Sequence, residues 1–200
     1  MDSANSVTPT VDPLLLVQQW LDEARAAEPY DAEAMSLATC NEKGKVSVRM
    51  VLLRGIDDRG LVFYTNLNSA KAHDIRQNSS VGLCFHWKST AKQIRVDGTA
   101  NLVTIEEADA YFRSRDRESR IGAWASRQSE KLRHREVLEY RFREFGDKYS
   151  VGDVPRPDFW SGYRVSAERI EFWEKKPHRL HKRKLFEKTG SSWADVLLYP

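Results

Sequence analysis

Residues 46–66 of this 200-residue chain read VSVRMVLLRGIDDRGLVFYTN and contain two apolar segments on either side of a polar turn. In the predicted strand 46–56, Ser47, Arg49 and Val51 alternate with Val48, Met50 and Leu52, and the predicted strand 61–66 opens with the short apolar run LVFY. Residues 57–60, DDRG, form a turn sequence between them. Strands that follow one another through a tight turn pair antiparallel, so this stretch predicts an antiparallel sheet.

The same pattern continues in both directions along the chain. Residues 34–40 are predicted to form a hairpin with residues 46–56 through a turn at 41–44, and further strands are predicted at 81–87, 93–103, 163–165, 170–173, 183–187 and 193–198. Helices are predicted from Asp12 to near Pro29 and at 69–78, 105–115, 119–125 and 129–149. The predicted class is mainly β with helices (α+β), an antiparallel barrel surrounded by helices. Residues 1–11 are predicted to be a flexible arm, and residues 12–200 a single domain.

The composition excludes several classes of protein. Hydrophobic residues make up 40% of the chain, and six Trp, seven Tyr and eight Phe supply large cores, which argues against disorder. The longest apolar runs are four or five residues, whereas a membrane span needs about 20. Cys40 and Cys84 have no metal-ligand spacing, and the N-terminus lacks the pattern of a secretory signal. The sequence therefore predicts a cytoplasmic protein without a metal site.

The charge is distributed unevenly, although the formal net charge is only +3. Residues 113–143 carry ten Lys and Arg against five Asp and Glu, and residues 175–188 carry seven against one. Such segments attract nucleic acid, acidic membranes or small phosphorylated ligands, and composition does not choose among these partners. No RNA- or DNA-binding motif is present, however, which disfavours a nucleic-acid partner.

Two sets of side chains could form an anion site. Tyr111, Arg115 and Ser119 are spaced i, i+4 and i+8, so on a continuous helix they would share one face and could hold a phosphate. The alternative is an amphipathic helix with Tyr111 packed and Arg115 in solvent. In an extended segment, Arg179, His181 and Arg183 would likewise share one strand face, which indicates either an anion site or a solvated edge strand that its charges protect from pairing.

Other polar residues lie on predicted strands and helices. Arg49 has apolar neighbours on both faces of its strand, so it needs either an internal carboxylate or a ligand phosphate as partner. Gln93 and Arg95 share one strand face, and Lys71 lies at the start of a helix, where it could donate to a phosphate.

These residues belong to a longer series of motifs in one order. The motifs are RMVLLR at 49–54, FYTN at 63–66, SAKAH at 69–73, YFRSR at 111–115, SRIGAW at 119–124, QS at 128–129, IEFW at 170–173 and RLH at 179–181. In this order and spacing, from about Asp12 to Pro200, the chain resembles the pyridoxamine 5′-phosphate oxidase family.

The resemblance implies an FMN-binding split β-barrel that works as a homodimer with the flavin at the subunit interface. It also implies oxidation of pyridoxamine or pyridoxine 5′-phosphate to pyridoxal 5′-phosphate, with O2 as acceptor and H2O2 as product. The implied FMN-binding residues are Arg49, Met50, Val51, Leu52, Tyr64, Thr65, Lys71, Gln93, Gln128, Ser129, Trp173 and Arg183. The implied substrate-binding residues are Arg54, Tyr111, Arg115, Ser119, Arg179 and His181, and the last two are also the expected catalytic residues.

Four positions depart from the family pattern and keep other functions open. Arg54 stands where Lys is usual, Ala70 where an Arg is usual, Lys182 where an acidic residue is usual, and Leu197 where an Arg is usual. One alternative is a flavin oxidase of the same fold that acts on phenazine precursors. Another is a non-catalytic protein that binds pyridoxal phosphate or nucleic acid.

Overall fold

A computed structural model describes residues 12–200. The prediction of a flexible arm at residues 1–11 lies outside the described residues. The helices are α1 (Pro13–Ala27), α2 (Ala70–Gln77), α3 (Ile105–Ser114), α4 (Arg117–Ala125) and α5 (Arg135–Lys148). The strands are β1 (Ala34–Cys40), β2 (Val46–Leu52), β3 (Gly55–Asp57), β4 (Gly60–Asn66), β5 (Ser80–Trp87), β6 (Lys92–Leu102), β7 (Trp160–Glu174), β8 (Lys182–Thr189) and β9 (Ser192–Leu198).

The strands form one antiparallel sheet in the order β2-β1-β5-β6-β7-β4-β3, and β8 and β9 extend it from β7. The long strand β7 pairs with β6 along most of its length. On its other side, its first half pairs with β4 and its second half pairs with β8. This division gives the split, curled sheet, and it confirms the mainly-β antiparallel fold with helices around it.

The core lies inside the curled sheet. It includes Phe63, Phe85 and Ile94, all fully buried, and α1 adds Val17 and Leu21 to the same cluster. Helix α1 begins as the sequence predicts, because the Asp12 side chain accepts a hydrogen bond from the Leu14 amide at 2.9 Å. Burial of these apolar side chains is the main favourable contribution to the stability of the sheet.

Several predicted boundaries were wrong for physical reasons. The predicted strand 46–56 is interrupted after Leu52, where Leu53 is buried and the chain turns to start β3. The predicted strands 163–165 and 170–173 are one strand, β7. The predicted helix 129–149 begins only at Arg135, because Ser129 has φ of +76° and His134, directly before the helix, is extended with φ −145° and ψ 148°.

Gly60 at the start of β4 permits a close approach of two strands. Its φ is +137°, and a Cβ atom there would lie 2.0 Å from the carbonyl oxygen of Val165 on β7. Gly44, in the turn before β2, also has a positive φ of +75°, but a Cβ atom there would have no neighbour within 4 Å. Of these two glycines, only Gly60 faces a partner strand that excludes a side chain.

We expect Gly60→Ala to lower the free energy of unfolding by about 3 kcal/mol or more, because backbone atoms of β7 must move. The matched variant Gly44→Ala should lose only about 1 kcal/mol, the strain of its positive φ. Urea unfolding followed by circular dichroism measures both values. Equal losses in the two variants would contradict the close packing of β4 on β7.

Candidate functional site

A cavity of about 500 Å³ lies between β2, β4, the start of α2, and the helices α3 and α4. We call it the cationic cavity. Eleven of the predicted site residues line it: Met50, Val51, Leu52, Arg54, Tyr64, Thr65, Lys71, Tyr111, Arg115, Ser119 and Gln128. Sequence reasoning missed five further lining residues: Asn66, Gly122, Ala123, Ser126 and Trp160.

The wall of this cavity carries three cationic side chains, Arg54, Lys71 and Arg115. No Asp or Glu is among the described residues that line it. Positive groups that converge on a partly enclosed space create a local potential that attracts anions. The chemistry of the wall therefore favours an anionic ligand.

Lys71 is 8% exposed and lies in the first turn of α2. Its ammonium group donates to the side-chain oxygens of Thr65 (3.2 Å), Ser69 (3.3 Å) and Gln128 (3.2 Å). All three acceptors are neutral, so none of them compensates the buried charge. Burial lowers the pKa of Lys71 below its ordinary value, and the nearby Arg49 lowers it further.

Arg115 is half-buried, and its Nη1 atom has no hydrogen-bond partner among the described residues. Its guanidinium lies over the ring of Trp160, 4.8 Å from the centroid, and 5.6 Å from that of Phe112. Burial lowers the pKa of Arg115. A buried donor without a partner is costly, and a ligand oxygen in the cavity would satisfy it.

Tyr111, Arg115 and Ser119 do not lie on one continuous helix, so the condition for a shared helical face is not met. Helix α3 ends at Ser114, and Arg115 has an extended conformation, with φ −74° and ψ 150°. Asp116 then caps a new helix, because its side chain accepts from the Ser119 amide at 2.7 Å. The three side chains nevertheless line the same cavity, on either side of this break.

Aromatic rings form one side of the cavity. Tyr64 stacks on Tyr111 with ring centroids 3.9 Å apart, and Trp160 is nearly parallel to Tyr64 at 5.5 Å. Gly162 on β7 leaves the space for this stack, since a Cβ there would lie 2.7 Å from the Tyr64 ring. Trp160 follows a proline-containing loop, and no local pattern signals its contact with the cavity, because that contact depends on the pairing of β4 with β7.

Arg49 lies beside the cavity but is not among the residues that line it. It donates to the Leu37 carbonyl at 3.1 Å and to the Thr39 hydroxyl at 2.7 Å. The Asp74 carboxylate is 3.9 Å from the guanidinium and accepts from Thr39. Of the two partners that the sequence left open for Arg49, the internal carboxylate is present.

Ser129 is also close to the start of α2 without lining the cavity. Its hydroxyl accepts a hydrogen bond from the Ala70 amide at 3.1 Å. At the position where an Arg was expected, the Ala70 backbone is thus tied to the 128–129 segment.

Four other predicted residues form a separate group, which we call the second cluster: Gln93, Trp173, His181 and Arg183. Gln93 pairs with Trp173, and Trp173 pairs with Arg183, so they form one row across β6, β7 and β8. The His181 ring lies 4.7 Å from that of Trp173. None of the four lines the cationic cavity of the same chain.

Arg179, His181 and Arg183 do not lie on one extended strand, so the condition for a shared strand face is not met. Strand β8 begins at Lys182, and the chain before it forms a short turn at Pro177–Arg179. His178 and Arg179 have φ of +56° and +62°, which interrupts the extended backbone that the alternation required. Arg179 is exposed, and only Arg183 of the three lies on the strand.

Two other kinds of feature are missing from the described part of the chain. Among residues 12–200 no helix combines the length and apolar character that a bilayer crossing requires. The same range contains no group of three His, Cys, Asp or Glu side chains arranged to hold a metal ion.

Both parts of the chain match known family models. Residues 21–149 match the model described as pyridoxamine 5′-phosphate oxidase. Residues 160–200 match the model described as the pyridoxine 5′-phosphate oxidase C-terminal dimerisation region.

Relatives and a solved structure agree with these matches. A pyridoxine/pyridoxamine 5′-phosphate oxidase of Chelativorans sp. is 50% identical over 190 residues, covering 94% of this chain and 91% of the relative. One from Sphingopyxis alaskensis is 52% identical over 189 residues, covering 94% and 88%. The crystal structure of PhzG from Burkholderia lata, in complex with tetrahydrophenazine-1-carboxylic acid, superposes with a TM-score of 0.91 at 30% identity, covering 100% of this chain and 98% of that one.

The uncompensated charge of Lys71 predicts a stability change that depends on pH. We expect Lys71→Met to raise the free energy of unfolding of the ligand-free protein by about 1 kcal/mol at neutral pH, because a buried charge is removed. The folded-state pKa lies below the ordinary 10.5, so charged Lys71 destabilises the fold at every pH below the lowered pKa. The advantage of the variant should therefore shrink as the pH rises toward 10.5.

Thermal unfolding of both proteins across the neutral and alkaline range measures this difference. The exposed Lys88→Met is the control, since its ammonium is not buried and the variant should gain nothing. If Lys71→Met were less stable than the parent protein at neutral pH, the buried charge of Lys71 would not destabilise the fold, and the prediction would be contradicted.

Proposed function

The chain belongs to the pyridoxamine 5′-phosphate oxidase family, and from that premise we propose that it oxidises pyridoxamine and pyridoxine 5′-phosphate to pyridoxal 5′-phosphate. We propose FMN as its cofactor and O2 as the electron acceptor, with H2O2 as a product and ammonia released from the amine substrate. The observation that carries the proposal is the cavity wall with three cations and, among the described residues, no carboxylate. Substrate and cofactor each bear a phosphate that such a wall suits.

The cations divide into two groups, which fits two phosphates. Arg54 is close enough to Arg115 to contribute to the lowering of its pKa, and Arg49 has the same effect on the pKa of Lys71. We assign the substrate phosphate to Arg54, Tyr111, Arg115 and Ser119. The unpartnered Nη1 atom of Arg115 and the two hydroxyl groups would supply charged and neutral donors to its oxygens.

We assign the cofactor to the residues around the start of α2 and along β2 and β4. Lys71, with the unpaired charge of its ammonium, is the principal donor to an anionic group there. The assigned neighbours are Arg49, Met50, Val51, Leu52, Tyr64, Thr65, Gln128 and Ser129. When bound there, FMN would supply the redox chemistry of the reaction, that is, the capacity to take up the two electrons of the substrate and pass them to oxygen.

Within this scheme, the side chains of the protein bind the substrate and orient it. The phosphate contacts of Arg54 and Arg115 are remote from the reacting carbon and fix the position of the substrate. Stacked Tyr64 and Tyr111 provide a rigid apolar surface beside it. Ala70 lacks the side-chain donor expected at its position, so Lys71 has a larger share of the anion binding.

A homodimer would bring the second cluster into the site. Gln93, Trp173 and Arg183 stand at positions that the resemblance assigns to FMN binding. They do not line the cavity of their own chain, however. Strand β2, which lines that cavity through Met50 and Leu52, leaves an exposed apolar row at the edge of the sheet. In the proposed dimer, this row is covered and the second cluster of each protomer, with Arg179 and His181 as catalytic residues, faces the cavity of the other.

The spectrum of the purified protein tests the cofactor and the substrate together. We expect flavin absorption in the visible range and its loss when pyridoxamine 5′-phosphate is added without oxygen, followed by recovery and peroxide formation in air. Unphosphorylated pyridoxamine should reduce the flavin much more slowly, because it lacks the group that Arg54 and Arg115 bind. A colourless protein that binds no added FMN would refute the proposal.

Arg115→Leu should lower kcat/KM for pyridoxamine 5′-phosphate about 100-fold, the effect of losing a strong charge-assisted hydrogen bond of about 2.7 kcal/mol. The slow turnover of unphosphorylated pyridoxamine should stay nearly unchanged. Arg113→Leu is the matched control, because Arg113 is exposed in the last turn of α3, two residues before Arg115, and does not line the cavity. Steady-state oxygen uptake gives kcat/KM for the parent protein and the two variants. An equal loss of kcat/KM with both substrates in Arg115→Leu would exclude phosphate binding by Arg115.

The similarity to PhzG supports a second candidate, oxidation of a phenazine precursor. The ligand in that structure carries a carboxylate, which the cationic cavity could also accept. Direct comparison of tetrahydrophenazine-1-carboxylic acid with pyridoxamine 5′-phosphate decides between them. Faster oxidation of the phenazine compound would favour this candidate.

A further inference from the structure

A buried carboxylate joins two arginines beside the second cluster. Glu171 on β7 is 7% exposed. Its Oε1 accepts from Nε of Arg183 at 2.7 Å, and its Oε2 is 3.3 Å from Nη1 of Arg95. Arg95 lies directly opposite Glu171 on β6, whereas Arg183 reaches it diagonally from β8. A buried carboxylate needs such partners, so the arrangement is well defined.

Arg183 is fixed at two points of its guanidinium. In addition to the bond from Nε to Glu171, its Nη1 group donates to the Tyr199 carbonyl at 3.0 Å. The Nη2 group makes no hydrogen bond within residues 12–200. Because a guanidinium is planar, two fixed donors set the direction of the third. The free group of Arg183 therefore has one defined orientation.

The position of Glu171 connects it to the row of predicted cofactor residues. It precedes Trp173 by two residues on the same strand, so both side chains are on the same face of the sheet. Trp173 is in register with Gln93 on one side and with Arg183 on the other. Arg95, Glu171 and Arg183 together keep one net positive charge, so an anion is still attracted to them.

We propose that Glu171 is a positioning residue that orients the Arg183 guanidinium so that its free Nη2 group is presented to the anionic flavin cofactor. Glu171 itself does not touch the cofactor in this scheme. The proposal rests on the proposed function, since it takes FMN as the ligand of Arg183.

The direction of the change in flavin affinity separates positioning from a simple charge effect. Glu171→Gln removes one negative charge, and long-range attraction alone would then make an anionic flavin bind more tightly. Loss of the fixed Arg183 orientation has the opposite effect, and we expect the Kd for FMN to rise about tenfold. Quenching of FMN fluorescence on titration with the apoprotein measures the Kd.

Two further variants make the comparison specific. Glu187→Gln removes the same charge from β8, where Glu187 is exposed and pairs with Arg169 at 3.2 Å. This variant should leave the Kd for FMN unchanged or slightly lower. Glu171→Asp keeps the charge but shortens the side chain by one methylene, and it should weaken FMN binding as Glu171→Gln does. If Glu171 acts through Arg183, adding Glu171→Gln to Arg183→Leu should cause no further loss.

A measurement on the flavin-free protein tests the orientation by itself. The Nε–H proton of Arg183, assigned by its absence in Arg183→Lys, should exchange slowly with water in the parent protein and rapidly in Glu171→Gln. Nuclear magnetic resonance detects this difference without any ligand. If the protein bound no FMN, the proposed function would be refuted, but the exchange measurement would still test the contact between Glu171 and Arg183. Unchanged exchange, unchanged or tighter FMN binding in Glu171→Gln, or additive losses in the double variant would each overturn the positioning role.

Discussion

A buried ammonium and a half-buried guanidinium share one cavity, and no carboxylate among the described residues of its wall neutralises them. Separating charge from water without a counter-ion costs free energy, so Lys71 and Arg115 are held in place by the rest of the fold. The curled sheet and its apolar core supply the stability that permits this cost. An anionic ligand that pairs with these two charges offsets this cost when it binds. The free energy that the charges cost the ligand-free protein therefore contributes to the affinity of the site.

Strand β7 connects the two groups of functional residues. Its first half carries Trp160 and Gly162, on which the aromatic side of the cavity depends. Its second half carries Glu171 and Trp173, which belong to the region of the second cluster. Because β7 is paired on both sides along most of its length, the distance between the two halves is fixed within one chain. Two copies related by symmetry would then present each group in a constant geometry.

Local patterns predicted most of the strands and the residue types of the cavity. Period two identified strands such as Ala34–Cys40, and the order of motifs led to eleven of the lining residues. The failures have local causes that spacing does not reveal: Asp116 starts a new helix after Arg115, and Arg179 has a left-handed backbone. Others depend on distant parts of the chain. Asp74 reaches Arg49 through Thr39, and Trp160 reaches Tyr64 through strand pairing, and neither contact has a short-range signature.

The late position of β7 in the chain has a consequence for how the protein is made. Strand β4 is complete at Asn66, but its partner begins only at Trp160, so nearly a hundred residues must be synthesised before they can meet. Until then the nascent chain exposes an open strand edge and much of its future interior, the kind of surface on which chains aggregate. Contacts of such high sequence separation also slow the final closure of the sheet. The edge of β4 that pairs with β7 therefore stays open until the last fifth of the polypeptide has been synthesised.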